Sequence, residues 1–479
     1  MAVIGKYYWH IHLIAVKMLT GDTEVCINIL RKEESAMKIK TYLSIFVMLT
    51  FIFVTRIEQS FAQIEPVYVT LGGGAHGTLN KPTSGTYSHI GIVVTHRTAN
   101  VLGACTGWAS RGFLAFCLNF PWVNNEAAVM WEDTAIHVGS AVKFLKGQPG
   151  ITKIVLVGAS GGGPTFTYYQ AVAQNGPSYC QGSNKLIECS NSLTGLIPAD
   201  GIILNDAHPG NPTVAILRQL NPAVTNDRAI LDHNRPARIN PNLDPFDAKN
   251  GYNPNGPSTY SENFKKRYFK AEADRMNILI DEALQRLREI EASKYPDDDA
   301  PLIIVRGHGA RLAQLDLSVH HSTVNPQKLL KNDGTVSVQI VESVRVANPG
   351  LIDQNPTFDG GTAFLTVRSF LSANAIRATD AMDESKIDWC SSNNSTRCAL
   401  EHITVPLLIV SSGGHYFIRD GEMHYERAAS TDKDFIVTEG AAHTGPPCVP
   451  CEQFPGQYAN SAINQMNYMV NWVNTPGRF

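Results

Sequence analysis

The chain lacks any long run of basic residues, any acidic tail, any internal repeat and any low-complexity tract. A nucleic-acid partner held through phosphates needs clustered Lys and Arg, so none is expected. Charge of neither sign dominates: 40 basic side chains face 43 acidic ones, for a formal net charge of -3. No second Cys-x-x-Cys stands at finger spacing from Cys448-Val-Pro-Cys451, which argues against a structural zinc. Nor does any apolar run reach the ~20 residues that a membrane-spanning helix needs. What is present is globular in composition, with 43% hydrophobic and 17% charged residues, 38 Gly and 26 Pro. At 479 residues the chain can bury a sizeable core without metal or disulfide.

The N-terminal region reads as an export signal. From Met37 a positive segment with Lys38 and Lys40 precedes a nearly unbroken apolar run, Leu43 to Val54. Ser60-Phe61-Ala62 then forms a small-x-small cleavage pattern, so the mature chain is expected to begin at Gln63. Residues 1–36 carry no clear pattern, and Met37 is the expected initiator. Cysteine usage agrees with export. Of nine Cys only Cys26 precedes that cleavage, and the rest form near pairs: Cys105/Cys117, Cys180/Cys189, Cys390/Cys398 and Cys448/Cys451. Such pairs fit local disulfides made in an oxidising compartment, so a secreted or periplasmic protein without stable membrane insertion is expected.

Beyond residue 63, strand and helix patterns alternate. PVYVTL (66–71), IGIVVT (90–95), FLAFCLNF (113–120), ITKIVLV (151–157), GIIL (201–204), VPLLIV (405–410) and residues 435–438 read as strands. Segments 100–110, 126–145, 164–172 and 421–429 read as helices between them. Apolar strands alternating with helices predict a mainly parallel sheet covered on both faces. Between residues 207 and 403 the pattern changes. Ser261 is placed to cap a long helix with Phe264, Tyr268, Met276, Leu279, Ala283, Leu287 and Ile290 on one stripe, ended by Pro296. A strand at 302–305 and a hairpin about Asn332-Asp333-Gly334 complete one large α+β insertion.

The chemistry concentrates at Gly158-Ala159-Ser160-Gly161-Gly162, directly after ITKIVLV and before a helix. Gly-x-Ser-x-Gly in a strand–turn–helix needs small neighbours, because the serine sits in a sharp, strained turn. That turn lifts the hydroxyl above the sheet and aims backbone N–H groups at an oxyanion.

With these residues the sequence resembles the α/β-hydrolase superfamily, and within it the serine ester hydrolases. The resemblance covers 63–206 and 404–479 as core, with a cap at 207–403 inserted after the sixth strand. It implies Ser160 as nucleophile and His443, from Glu-Gly-Ala-Ala-His after the last strand, as general base. The place where the family commonly puts its acid reads Gly414-His415-Tyr416 and holds none. Two carboxylates remain: Asp206 in Leu-Asn-Asp-Ala-His-Pro-Gly, preferred, and Asp420, which stands where a helix N-cap is expected. Glu422 ranks third. The oxyanion would be held by the N–H of Gly161 and one from Arg97 or Thr98, where the family's usual His-Gly is replaced by His96-Arg97-Thr98.

The resemblance thus implies an exported, cofactor-free and metal-free enzyme cleaving a small-molecule ester. Lactonase, amidase and acyltransferase chemistry use the same parts, and a non-catalytic binding protein of this fold is the rival of another class. Other patterns are discounted. Gly72-Gly73-Gly74-Ala75-His76-Gly77 matches a dinucleotide motif, but Thr-Leu-Asn-Lys-Pro-Thr after it cannot open a helix. Asp316, His320 and His321 read as cap polars rather than metal ligands. His415 and His424 flank the loop without an acid, and Asn393 and Asn394 each satisfy N-x-S/T.

Overall fold

The strand-forming runs pair largely as their apolar pattern requires. The computed structural model describes residues 66–97, 101–122, 126–224, 239–294, 298–305, 311–347 and 362–479. The expected export signal, Thr98 and Pro296 lie outside these residues. The strands are β1 (Val67–Thr70), β2 (His76–Asn80), β3 (Ile90–Thr95), β4 (Leu114–Asn119), β5 (Lys153–Ala159) and β6 (Gly201–Asn205). They continue with β7 (Pro301–Val305), β8 (Gln327–Leu330), β9 (Val336–Gln339), β10 (Thr362–Thr366), β11 (Leu407–Ser412) and β12 (Lys433–Thr438). Ten of them form one sheet in the order β1-β2-β4-β3-β5-β6-β11-β12-β8-β9. From β4 to β8 every neighbouring pair is parallel, and the antiparallel pairs are β1–β2 and β2–β4 at one edge and β8–β9 at the other.

Parallel strands need covered crossovers, and seven helices enter the account: α1 (Leu102–Ala109), α2 (Trp131–Lys146), α3 (Gly162–Asn175), α4 (Glu262–Glu291), α5 (Thr396–Leu400), α6 (Ile418–Arg427) and α7 (Ser461–Val473). Alternate residues of each central strand go to opposite faces. Ile92, Val94, Val155, Val157, Ile203, Val410 and Ile436 pack with Trp108 of α1 and Met469 and Trp472 of α7. Val93, Leu156, Ile202, Leu204, Ile409 and Val437 pack with α2 and α3 on the other side. Both faces are therefore dry, which is why these runs read as continuously apolar. Fully burying one Val, Leu or Ile stabilises by about 1.5–3 kcal/mol relative to leaving it exposed.

The long cap helix α4 forms as expected. Ser261 accepts from the Phe264 N–H at 3.2 Å, and the seven stripe residues are all buried. Glu272 is on the same buried face, where burial pushes its carboxyl well above the ordinary range. β7 pairs antiparallel with β10 in a separate two-stranded sheet. The hairpin about Asn332-Asp333-Gly334 is β8–β9, but it departs from the expected division at 207–403. It is not confined to the cap: β8 pairs in parallel with β12 and extends the main sheet beyond the last core strand. The glycine run 72–77 makes a single kinked 3-10 turn and then β2, antiparallel to β1, with no α-helix. All four local cysteine pairs are joined as disulfides.

Candidate active site

The site stands at the carboxyl ends of β5 and β6, which are adjacent and in register, with Ala159 opposite Asn205. Each strand ends in a residue with positive φ: Ser160 at 51° and Asp206 at 48°. A non-glycine residue in that region is strained and persists because its surroundings hold it there. For Ser160 the surroundings are glycines. A Cβ on Gly162 would lie 2.1 Å from the Thr95 carbonyl oxygen, and one on Gly158 would lie 2.6 Å from that of Gly162. The strand thus turns directly into α3. The Ser160 N–H donates to the Asn205 carbonyl at 3.0 Å, and that of Asp206 to the Val410 carbonyl at 2.6 Å. Among the described residues, no hydrogen bond joins the Ser160 hydroxyl to His443.

His443 lies in the loop after β12, 237 residues from Asp206 in sequence, yet its Nδ1 is 2.6 Å from Asp206 Oδ2. That loop is pinned from below. Gln465 of α7 donates to Asn205 Oδ1 at 2.8 Å and to the Thr444 carbonyl at 3.2 Å. Asp206 Oδ1 accepts from the Ser412 N–H at 3.1 Å. The carboxylate is fully buried. Burial alone would raise it, but the His415 and His443 rings beside it hold it well below the usual carboxylate range. His443 by contrast has 40% of its side chain exposed.

His415 occupies the loop after β11. Its Nδ1 is 2.9 Å from the same Asp206 oxygen but misaligned for a hydrogen bond, and its ring lies 4.4 Å from that of His443. Burial keeps this imidazole below its ordinary range despite the carboxylate. Asp206, His415 and His443 offer donor atoms all within 4.8 Å of one another, so this set could also hold a metal ion.

Asp420 is elsewhere and does something else. The helix expected over 421–429 is α6, starting three residues earlier, with Phe417 at its N-cap and no side-chain cap. Asp420 therefore sits in the first turn and caps nothing. Its Oδ1 accepts from Arg218 at 3.2 Å and Arg397 at 2.7 Å, both buried, with Glu384 closing the network. Glu422 accepts the N–H groups of Val324 and Asn325, at 2.7 and 2.8 Å, and so anchors the approach to β8. His424 is fully buried and pushed down to about 3 by burial and Arg397. Asn393 and Asn394 are buried and donate to the Ile187 and Ala373 carbonyls, so the folded chain leaves no room for a glycan on either.

Of the oxyanion candidates, Gly161 stands at the N-terminus of α3 and Arg97 at the end of β3. The Arg97 guanidinium pairs with Glu126. His96 beside it is pushed down to about 4 by burial, Arg97 and His443. Sequence reasoning missed His208, which packs against Gly161. Its only signal was lying two residues beyond Asp206.

No protein-family model and no curated protein matches the chain. Solved structures similar to it include the alpha/beta hydrolase GrgF from Penicillium sp. sh18, at 9% identity and a TM-score of 0.38, covering 86% of this chain and 98% of that one. Est1E from Butyrivibrio proteoclasticus aligns at 8% identity and 0.36, covering 86% and 99%. A dienelactone hydrolase from Anabaena variabilis aligns at 9% and 0.33, covering 86% and 96%. Likeness at this level concerns the chain trace alone.

Proposed function

We propose that the chain, a mainly parallel sheet covered by helices on both faces, is an exported serine hydrolase of the α/β-hydrolase fold that cleaves a carboxylic ester through an acyl-enzyme. The observation that carries this reading is the strained, glycine-flanked Ser160 at the end of the strand next to a buried Asp206, whose Oδ2 lies 2.6 Å from Nδ1 of the partly exposed His443. Ser160 Oγ adds to the ester carbonyl while His443 Nε2 takes its proton. Asp206, held as a carboxylate, fixes the tautomer with hydrogen on Nδ1 and supports the imidazolium that forms. The oxyanion rests against the N–H of Gly161, with the second donor from the Arg97–Thr98 turn, of which Thr98 lies outside the described residues. Collapse expels the alcohol, which receives the proton from His443, and water then releases the acyl group by the same route.

An aligned Nδ1–carboxylate hydrogen bond leaves Nε2 of His443 for the serine, and this favours acid–base work over metal binding by the same donors. Export is supported by the four disulfides and by the signal pattern at 37–62. Among the described residues no helix is long and apolar enough to cross a membrane. Lactones and amides would be handled by the same groups, so the experiment must read the nucleophile first. A fluorophosphonate probe is expected to label the chain from Gln63 at Ser160. Ser160→Ala should abolish labelling and lower turnover of p-nitrophenyl esters by ~10^3-fold or more. Unchanged labelling of that variant would remove the serine reading, and an unlabelled wild type would favour the binding-protein alternative.

A further inference from the structure

Two side chains crowd the elbow without belonging to the serine, histidine and carboxylate set. His208 is 7% exposed, and its Nδ1 accepts from the Gly210 N–H at 3.1 Å. In a neutral imidazole that leaves the hydrogen on Nε2. Burial, with Arg97, His96, His443 and Arg311 around it, holds the ring well below its ordinary range, so neutral is its resting form. A Cβ built on Gly161 would lie 3.4 Å from His208 Nε2 and 3.6 Å from Arg97 Nε. Both nitrogens therefore lie close to Gly161, the residue that follows the nucleophile and offers its amide to an oxyanion.

Neither donor is used by the protein. Arg97 Nε is shut off from solvent and has no hydrogen-bond partner, although the far end of the guanidinium pairs with Glu126. Among the described residues no group accepts from His208 Nε2. A buried N–H without an acceptor costs about 1–3 kcal/mol, so the Arg97 Nε–H calls for an explanation, and the His208 Nε2–H close to the same glycine is also left without an acceptor among the described residues. A passing negative charge supplies it.

We propose that His208 is a further catalytic residue, whose Nε2–H, together with Arg97 Nε–H, donates to the oxyanion formed on Ser160 attack. This rests on the serine-hydrolase reading above. As the Oγ–C bond forms, the carbonyl π pair moves onto oxygen and the serine proton goes to His443. His208 neither gains nor loses a proton; it only donates a hydrogen bond. As the intermediate collapses, the oxygen pair re-forms the carbonyl and the C–O bond to the leaving alcohol breaks. The donors are fixed before reaction by Gly210 and Glu126, which is the condition for electrostatic stabilisation to be strong. Glycine at 161 suits the same arrangement, because a Cβ there would crowd Arg97 Cβ at 3.2 Å and come into van der Waals contact with both donors.

The test uses fluorophosphonate inactivation of the chain from Gln63. In that step the Oγ–P bond forms, P–F breaks, fluoride leaves and His443 takes the proton, with the phosphoryl oxygen in the oxyanion position. His208→Phe keeps a ring and removes the donor. The expected result is a fall in the maximal inactivation rate of ~10^2–10^3-fold, the usual effect of losing one such donor, at an unchanged half-saturating probe concentration. His208→Gln, which retains an N–H, should recover at least tenfold over Phe. If His208→Phe does not fold, His208→Met gives the same donor-free comparison. Inactivation within about threefold of wild type, or equal losses in Gln and the donor-free variant, would overturn the proposal. A wild type never labelled at Ser160 would instead remove the serine reading, and this inference with it.

Discussion

Asp206 and Asp420 are both fully buried aspartates near the same end of the sheet, and both are held well below the usual carboxylate range. They differ in their partners. Asp420 is gripped by Arg218 and Arg397, cations that cannot give up a proton in this setting. That carboxylate can only tie elements together, here α6 to the segment after β6 and to α5. Asp206 faces His443 and His415, whose rings can change protonation and tautomer. Its oxygens are also fixed by the Ser412 amide, so it can orient a ring that moves a proton. Burial and a depressed pKa are shared by both sites. The chemistry of the partner decides which carboxylate can take part in a reaction.

The sharpest way to break this comparison is Asp206→Asn, which should lower turnover by ~10^4-fold with little change in melting temperature, as loss of the acid does in the best-studied triad. Kinetics on the folded protein, checked by thermal denaturation, would decide it; a loss under tenfold would sink the Asp206 role. Asp420→Asn should show the reverse. Removing that carboxylate leaves two buried guanidinium groups with only Glu384 at the rim to balance them, at a cost of ~3–5 kcal/mol in denaturant unfolding, while the folded fraction turns over near the wild-type rate. Glu384→Gln at the rim of that network, 23% exposed, should cost less, about 1–2 kcal/mol. If it destabilises more than Asp420→Asn, the network is organised differently from this account.

The gentlest probe is pH. Burial pushes His320 and His424 down to about 3, so the folded protein keeps them neutral while the unfolded chain protonates them near 6.5. Depressed groups of this kind contribute fully above the unfolded pKa and lose their contribution as pH falls below it. In a Glu272→Gln background, which removes the opposing carboxyl that burial raises, melting temperature should therefore be flat from pH 7 to 8 and decline below about 6.5. It should decline faster below about 4, where unfolded carboxylates take up protons and Asp206 and Asp420 do not. A melting temperature constant down to pH 4.5 would refute the buried neutral state of these histidines.

Local chemistry made much of this legible. The strand ITKIVLV, its glycines and Ser160 are neighbours in sequence, so the elbow is written in one short segment. The apolar runs announce a two-faced sheet because each strand's alternate residues meet separate helix layers. Ser261 and the α4 stripe read correctly for the same reason, since a cap and a helical face are set within a few turns. Where distant contacts entered, reading failed. The α6 register was misjudged because Asp420 is drawn into the first turn by Arg218 and Arg397, 202 and 23 residues away. The β8–β9 hairpin looks the same in sequence whether it stays in a cap or joins a sheet edge.

The sequence by itself therefore determined the fold class, the position of Ser160, the near pairing of eight cysteines and the shortlist of acids, and left the disulfide connectivity to the structure. Tertiary structure alone decided which acid meets His443, that His415 shares its oxygen, and that His208 and Arg97 converge on Gly161. The reason is physical: strand period, turn strain and short loops are set by neighbours along the chain. A hydrogen bond spanning 237 residues is set by how the sheet closes and where its loops are pinned.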